Sequence, residues 1–112
     1  WDYPYALHQK GGWLNPDSSD WFADYAKIVV DALSDRVTYW MTINEPQVFI
    51  GCGYAIGKFA PFQKLPARDL AQMSHNVLLA QDDSGMCKES PKDWLCILDP
   101  LHHTDRQLSA CD

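Results

Sequence analysis

The chain carries an amphipathic helix pattern that is followed, after a short connection, by a segment that is apolar on both faces. The helix pattern has the i, i+1, i+4, i+5 spacing of one buried stripe, formed by Trp21, Phe22, Tyr25, Ala26, Val29, Val30 and Leu33. Residues 37–43 are then rich in β-branched and aromatic types, and Pro46 follows as a residue that cannot donate to a sheet ladder. This order predicts an α/β fold, in which helices cover a buried parallel sheet.

Local signals set the start of this helix and predict a second one. Asp17, Ser18 and Ser19 stand before the first apolar position and predict side-chain caps at the helix start. In residues 48–65 glycines, aromatics and prolines alternate without a period, which is typical of a long functional loop. A second helix is predicted from Pro66 to about Ala80, with apolar positions at Leu70, Met73, Val77 and Leu78.

Charge and composition exclude several classes of partner. The net charge of −6, without a cluster of Lys and Arg, would oppose binding to a phosphate backbone, so we expect no nucleic-acid partner. No apolar run is long enough to predict a membrane span.

The chain begins Trp-Asp-Tyr-Pro, without Met or an apolar signal region, so we expect it to be internal to a longer protein. We expect reduced thiols in a cytoplasmic protein, because no signal peptide accompanies the four cysteines Cys52, Cys87, Cys96 and Cys111.

Three segments in order resemble glycoside hydrolase family 1 over about residues 1–80. They are Trp1-Asp2-Tyr3-Pro4 with Gly11-Gly12-Trp13-Leu14-Asn15, then Thr42-Ile43-Asn44-Glu45-Pro46, then Ser74-His75-Asn76-Val77-Leu78-Leu79-Ala80. An isolated Asn-Glu-Pro is a weak signal, because Asn and Pro are common in turns, but its place in a co-linear set makes it specific. The resemblance implies a fragment of a TIM (β/α)8 barrel that holds the end of strand 3, helix 3, strand 4 and helix 4. The 112 residues are well short of the roughly 250 of a complete barrel.

The resemblance also implies a reaction and the residues that carry it. A retaining glycosidase uses two carboxyl groups, one to attack the anomeric carbon and one to protonate the leaving oxygen. Glu45 matches the family's acid/base, Asn44 matches the residue that binds the sugar 2-hydroxyl, and Trp1 matches the tryptophan beside the glycone. The implied reaction is hydrolysis of terminal β-D-glucosides, with no metal or organic cofactor. The family's nucleophile lies in a Glu-Asn-Gly motif that this sequence lacks, so we expect the chain alone to be inactive.

The helical periodicity is lost in residues 81–112, which we separate from the partial barrel of residues 1–80. Family members enter a fifth strand that often reads Lys-Ile-Gly-Tyr-Ala, where this chain has Lys92-Asp93-Trp94-Leu95-Cys96. The codons of these five residues, read one nucleotide later, are compatible with that strand motif. We therefore expect a divergent or out-of-frame tail. The nucleotide sequence from codon 80 onward tests this, and a shifted frame without such a strand would contradict it.

Two alternative functions stay open. Within the same family, a phospho-β-glycosidase is distinguished only by residues far downstream. A Trp-rich carbohydrate-binding module would expose Trp13, Trp21 and Trp40 on one surface, whereas a barrel would bury most of them. Helical spacing explains Trp21, Phe22 and Tyr25 as core residues, and it favours the barrel.

Two less specific interpretations concern single residues and a possible metal site. Without the family context, Glu45 would be read as a cap or ion-pair residue at the end of a strand. A zinc-binding protein is disfavoured, because ligands of structural zinc sites follow short paired patterns. The spacings of the five candidate ligands match none of these patterns; the candidates are Cys87, Cys96, His102, His103 and Cys111. The sequence decides neither the preferred sugar nor the oligomeric state.

Overall fold

The computed structural model describes residues 2–38 and 40–84, and within them the chain is built from helices and turns. The elements in chain order are α1 (Tyr5–His8), a 3-10 turn (Gly12–Leu14), α2 (Ser18–Leu33), α3 (Pro46–Val48), a π-helix (Phe49–Ala55) and α4 (Ala67–Asp83). The two long helices, α2 and α4, pack against each other, and the 3-10 turn and the π-helix both contact α4. Both helices predicted from apolar periodicity are therefore present.

The core lies between α4, the 3-10 turn and the π-helix. Its buried members are Trp13, Ile50, Tyr54, Met73, Val77 and Ala80. On α4 the spacing of Met73, Val77 and Ala80 gives a single buried stripe, because residues three and four apart share one face of a helix. Trp13 is 8% exposed, which agrees with the expectation that a barrel buries most of the tryptophans.

The start of α2 differs from the prediction. Asp17 stands before the first helical residue, but neither it nor a neighbouring serine makes a side-chain cap hydrogen bond. Instead the Asn15 side-chain oxygen accepts a hydrogen bond from the Asp17 amide at 2.9 Å. An Asx turn immediately before the helix thus orders its first turn, and the capping prediction is wrong in its detail.

The predicted strand over residues 37–43 is not formed in the part of the chain that the structure describes. Residues 37, 38 and 40–43 follow α2 without helical turns, but no strand is present among residues 2–38 and 40–84. A strand exists only through ladder hydrogen bonds to a neighbouring strand, and no described segment pairs with this one. The same holds for the expected end of a preceding strand at the N-terminus, of which Trp1 lies outside the described residues.

The aromatic stripe of α2 is only partly buried. Phe22 packs against the core and Trp21 is half-buried, but Tyr25 is 62% exposed. The prediction that all three lie in the core is wrong for Tyr25. Since α4 covers one side of α2, the apolar positions that flank this contact, among them Ile28, face solvent.

Helix α4 continues to Asp83, three residues beyond the predicted end at Ala80. Gln81 in this last turn is buried, and the Ser84 hydroxyl donates to the Gln81 carbonyl oxygen at 2.7 Å. The remainder of the predicted tail, residues 85–112, lies outside the described residues, together with every candidate zinc ligand. Within the described ranges, no helix has the length and apolarity that a membrane span requires.

Cys52 is disulfide-bonded, which contradicts the expectation of reduced thiols. That expectation depended on the lack of a signal-peptide pattern in the 112 residues. A targeting signal does not determine whether a second sulfur lies within bonding distance, which is a property of the fold. The argument from free thiols to a cytoplasmic location therefore no longer applies.

Phe62 is held in a backbone conformation that favours glycine. Its φ is +60°, and its side chain is 69% exposed. Left-handed backbone costs a residue with a Cβ about 1–2 kcal/mol, whereas glycine adopts it freely but loses more entropy on folding. We expect Phe62→Gly to raise the free energy of unfolding by about 0.5–1 kcal/mol in denaturant titrations. Phe62→Ala is the control, because it removes the ring and keeps the strain; an equal gain from Ala would exclude the backbone explanation.

Candidate active site

Glu45 occupies a strained turn that follows the non-helical residues 40–43. Its φ is 43° and its ψ is 60°, the left-handed region. This conformation is costly for a residue with a Cβ, and the proline that follows favours extended backbone at the residue before it. The Glu45 carbonyl oxygen accepts hydrogen bonds from the Val48 amide at 2.9 Å and, more weakly, from the Phe49 amide at 3.4 Å. Such strain persists where the surrounding structure imposes it, and it is most common at functional sites.

The side chains of Asn44 and Glu45 are both exposed on this turn. Pro46 begins α3, where a missing amide hydrogen costs nothing, so the turn runs straight into helical structure. The structure thus places two of the three predicted site residues side by side at the surface. Trp1, the third, lies outside the described residues, and its expected place beside the glycone stays a prediction.

The Glu45 turn is anchored in the core on both sides. Ile43 before it and Phe49 after it are partly buried and pack against the core cluster, and Ile50 is a buried member of that cluster. The exposed residues Asn44 and Glu45 therefore lie between two fixed points of the chain. This arrangement holds a carboxyl group at the surface while its backbone is restrained from both ends.

Trp13 is the aromatic residue that connects this turn to the N-terminal segment. Its ring stacks on Phe49 with centroids 6.0 Å apart, and it also contacts Phe22 at 6.3 Å and Tyr3 at 5.2 Å. A buried indole surrounded by other rings offers no face to a sugar. The carbohydrate-binding-module interpretation required Trp13 to be exposed, so this part of that interpretation is wrong.

Asn76 ties the N-terminal segment to α4, a contact that sequence reasoning missed. The side chain is 2% exposed, and its amide nitrogen donates to the Trp13 carbonyl oxygen at 2.8 Å and to the Asn15 carbonyl oxygen at 3.3 Å. A signal was present in the sequence, because Asn76 lies three residues after Met73 and four before Ala80, on the buried face of an amphipathic helix. A buried polar side chain at such a position requires partners.

Two phenols, those of Tyr3 and Tyr54, lie close enough to each other to interact electrostatically. Burial raises the pKa of Tyr3 to about 12, and the neighbouring Tyr54 phenol adds to the increase because an ionised partner opposes a second negative charge. Burial also raises the pKa of Tyr54. Both raised pKa values mean that these phenols stay protonated to a higher pH than an ordinary tyrosine.

The raised pKa of Tyr3 predicts how stability depends on alkaline pH. The folded state keeps the phenol protonated up to about pH 12, while the unfolded chain releases the proton near pH 10, so the folded state binds more protons in between. The contribution of Tyr3 to stability is complete below pH 10 and is lost as pH rises toward 12. Denaturant midpoints should fall across this interval, and Tyr3→Phe should make the fall shallower. An unchanged slope in Tyr3→Phe would contradict the assignment.

No group of three or more His, Cys, Asp or Glu side chains among residues 2–38 and 40–84 is arranged to hold a metal ion. The Glu45 turn offers an exposed carboxyl group with the Asn44 side-chain amide beside it.

Comparison with known proteins identifies relatives of this chain in sequence and in structure. A 1,4-beta-D-glucan glucohydrolase from Thermotoga neapolitana is 45% identical over 64 residues, which are 57% of this chain and 15% of that protein. A 6-phospho-beta-galactosidase from Clostridium acetobutylicum is 40% identical over 79 residues, 70% of this chain and 17% of that protein. The crystal structure of the GH1 beta-glucosidase from Exiguobacterium antarcticum B7 is similar with a TM-score of 0.71 and 34% identity, covering 80% of this chain and 20% of that one.

The chain spans between 15% and 20% of the length of these proteins. A model of glycosyl hydrolase family 1 matches residues 1–91, which include the Glu45 turn, Trp13 and Asn76. On the strength of that match, the chain belongs to glycosyl hydrolase family 1.

Proposed function

We propose that this chain is part of a longer retaining β-glycosidase that hydrolyses terminal β-D-glucosides, with Glu45 as the general acid/base. The observation that carries the proposal is the strained, exposed Glu45 turn, anchored in the core on both sides and followed by Pro46. A structural cap or ion-pair residue at this place would not need a left-handed backbone. A proton donor does need a fixed position, because small displacements of a catalytic group cost large factors in rate.

In the proposed first step, a carboxylate elsewhere in the protein attacks the anomeric carbon and the bond to the leaving oxygen breaks. Glu45 donates its proton to that oxygen as the bond breaks, so the leaving group departs as a neutral alcohol. In the second step, the ionised Glu45 takes a proton from water, whose oxygen attacks the anomeric carbon and displaces the enzyme carboxylate. The anomeric configuration is thus inverted twice and retained overall.

Two further residues bind the sugar in this proposal. Asn44, exposed beside Glu45, donates a hydrogen bond from its side-chain amide to the sugar 2-hydroxyl, a contact that strengthens in the oxocarbenium-like transition state. Trp1 offers an indole face to the apolar C–H groups of the glycone. The nucleophile's Glu-Asn-Gly motif does not occur in the 112 residues, so the chain by itself is expected to be inactive.

The proposal is tested through the second step, in the full-length enzyme. Glu45→Ala removes the base that activates water, so the glycosyl-enzyme intermediate should accumulate on a substrate with a good leaving group. Azide is a small nucleophile that needs no base, and it should restore turnover and yield a glycosyl azide of retained configuration. An unresponsive Glu45→Ala enzyme, with no azide product, would contradict the assignment of Glu45.

A phosphorylated sugar is the second candidate substrate class. It is favoured by the relative from Clostridium acetobutylicum, a 6-phospho-beta-galactosidase that is 40% identical over 79 residues. The family resemblance implies that the phosphate is recognised by residues far downstream, so the Glu45 turn does not distinguish the two substrate classes. Rates of the full-length enzyme on matched free and 6-phosphorylated aryl β-glycosides separate the two: a preference for the phosphorylated series would replace the glucoside proposal and leave the role of Glu45 intact.

A further inference from the structure

We infer that Asn76 is a positioning residue for the acid/base, acting on Glu45 through Trp13 and Phe49. The inference rests on the proposed function of Glu45 and goes beyond it, since Asn76 lies on α4, 31 positions along the chain from Glu45. The connection consists of one pair of hydrogen bonds, one ring contact and one turn, all formed by described residues.

The first link is the Asn76 side-chain amide. Its nitrogen donates to the carbonyl oxygens of Trp13 and Asn15, and its oxygen accepts from the Gln72 side-chain nitrogen at 3.0 Å. The Asn76 side chain is buried, so water cannot replace these bonds without opening the core. Asn76 therefore fixes the end of the 3-10 turn, and with it the backbone from which the Trp13 indole extends.

The second link is the contact between two rings. Trp13 and Phe49 stack with an interplanar angle of 28°, and the indole is itself held by the Tyr3 and Phe22 rings. Offset contacts of this kind depend on ring position, so a displaced Trp13 backbone displaces the surface on which Phe49 packs. Phe49 is the first residue of the π-helix and the first partly buried aromatic after Glu45.

The third link is the Glu45 turn. The amides of Val48, at 2.9 Å, and Phe49, at 3.4 Å, both donate to the Glu45 carbonyl oxygen, so a displacement of Phe49 weakens the closure of the turn. Glu45 has a left-handed backbone in front of a proline, which it would leave if the packing after it loosened. Relaxation of this one residue rotates its carboxyl group away from the leaving oxygen.

A change at Asn76 is expected to slow the reaction of some substrates more than that of others. A misplaced acid/base impairs proton donation, whereas the nucleophile, which lies elsewhere in the protein, still attacks. The defect of an Asn76 variant should therefore depend on how much protonation the leaving group needs. Simple loss of folded enzyme would lower all rates by the same factor.

The test compares variants of the full-length enzyme by the ratio of kcat/KM on a good and a poor leaving group. Folded enzyme is counted separately by titrating the active sites with a slow covalent substrate. Asn76→Asp keeps the shape of the side chain but turns an oxygen toward the Trp13 and Asn15 carbonyls. We expect it to lose about ten- to a hundredfold more on the poor leaving group than on the good one.

Two further variants separate positioning from stability. Gln72→Glu replaces the amide nitrogen that donates to the Asn76 oxygen by a carboxylate oxygen, and it should change the ratio in the same direction by a smaller factor. Ser74→Ala is the matched control: its hydroxyl donates to the Leu70 carbonyl oxygen at 2.8 Å within α4 and has no described contact with Trp13. It should leave the ratio unchanged.

Each outcome decides the matter. If Asn76→Asp lowers both rates equally per active site, Asn76 has only a structural role and the inference is wrong. If Asn76→Asp does not fold, Gln72→Glu decides in its place, and an unchanged ratio there overturns the inference. Glu45→Gln separates a failure of the inference from a failure of the proposed function. If Glu45→Gln shows a leaving-group-dependent defect while the Asn76 and Gln72 variants keep an unchanged ratio, only the inference is wrong. Equal losses in Glu45→Gln refute the proposed function, and the inference falls with it.

Discussion

In the full-length enzyme, Glu45→Gln is expected to lower kcat/KM on a β-glucoside with a poor leaving group by about 10²–10⁴-fold. Each factor of ten corresponds to about 1.36 kcal/mol of transition-state stabilisation, so the expected loss is about 3–5 kcal/mol. The amide of Gln has nearly the shape of the carboxyl group but cannot transfer its proton. The poor leaving group must then depart as an unprotonated alkoxide, which is the costly step.

A substrate with a good leaving group provides the internal control for Glu45→Gln. Its first step needs little protonation and should be far less affected, until the slowed second step limits turnover. A plot of log(kcat/KM) against leaving-group pKa should therefore be steep for Glu45→Gln and shallow for the unaltered enzyme. Parallel plots would show that Glu45 is not the proton donor and would leave it with a structural role only.

Gly53→Ala is expected to lower the free energy of unfolding by about 2–4 kcal/mol, because the site has no room for a methyl group. A Cβ at Gly53 would lie 2.8 Å from the Ala60 carbonyl oxygen and 3.5 Å from Cδ of Pro61. The Ala60 carbonyl is backbone, and the loop that carries it is held on both sides of it. The Cys52 carbonyl accepts from the Lys58 amide at 2.7 Å, and the Gly53 carbonyl accepts from the Gln63 amide at 3.0 Å.

Gly51→Ala is the matched control within the same π-helix. A Cβ at Gly51 would meet nothing within 4 Å, so Ala should be tolerated and should stabilise by about 0.5–1 kcal/mol through the lower entropy of the unfolded chain. Denaturant unfolding of the two variants in the full-length protein measures the difference. Similar free energies for both would show that the loop yields to the added methyl group and that its hydrogen bonds do not hold it.

Two parts of the architecture follow from local sequence patterns. The apolar periodicity predicts α2 and α4, and the structure has them at Ser18–Leu33 and Ala67–Asp83. The co-linear motifs also predict the family, since the family model matches residues 1–91. Both inferences succeed for the same reason, which is that helical periodicity and short motifs are carried by residues close together in the chain.

Other features depend on contacts between distant segments, and the sequence does not determine them alone. Residues 37–43 have the composition of a strand, but a strand requires a partner, and the described part of the chain supplies none. Tyr25 belongs to the apolar stripe of α2, yet it is exposed because α4 covers only one side of that helix. Cys52 is disulfide-bonded, although the lack of a signal-peptide pattern led us to expect free thiols.

In the candidate site, too, some features follow from the local sequence and others from contacts between distant segments. The sequence by itself predicts Asn44 and Glu45 as site residues, because Asn-Glu-Pro lies in a co-linear set of motifs, and this stays a prediction. Only the tertiary structure revealed the left-handed backbone of Glu45 and the Asn76 hydrogen bonds to the Trp13 turn, 63 positions away in the chain. The physical reason is that a local pattern specifies which face of a segment is apolar or which residue types end it. What covers that face, and what strain the covering imposes, is decided by whichever distant segments pack there.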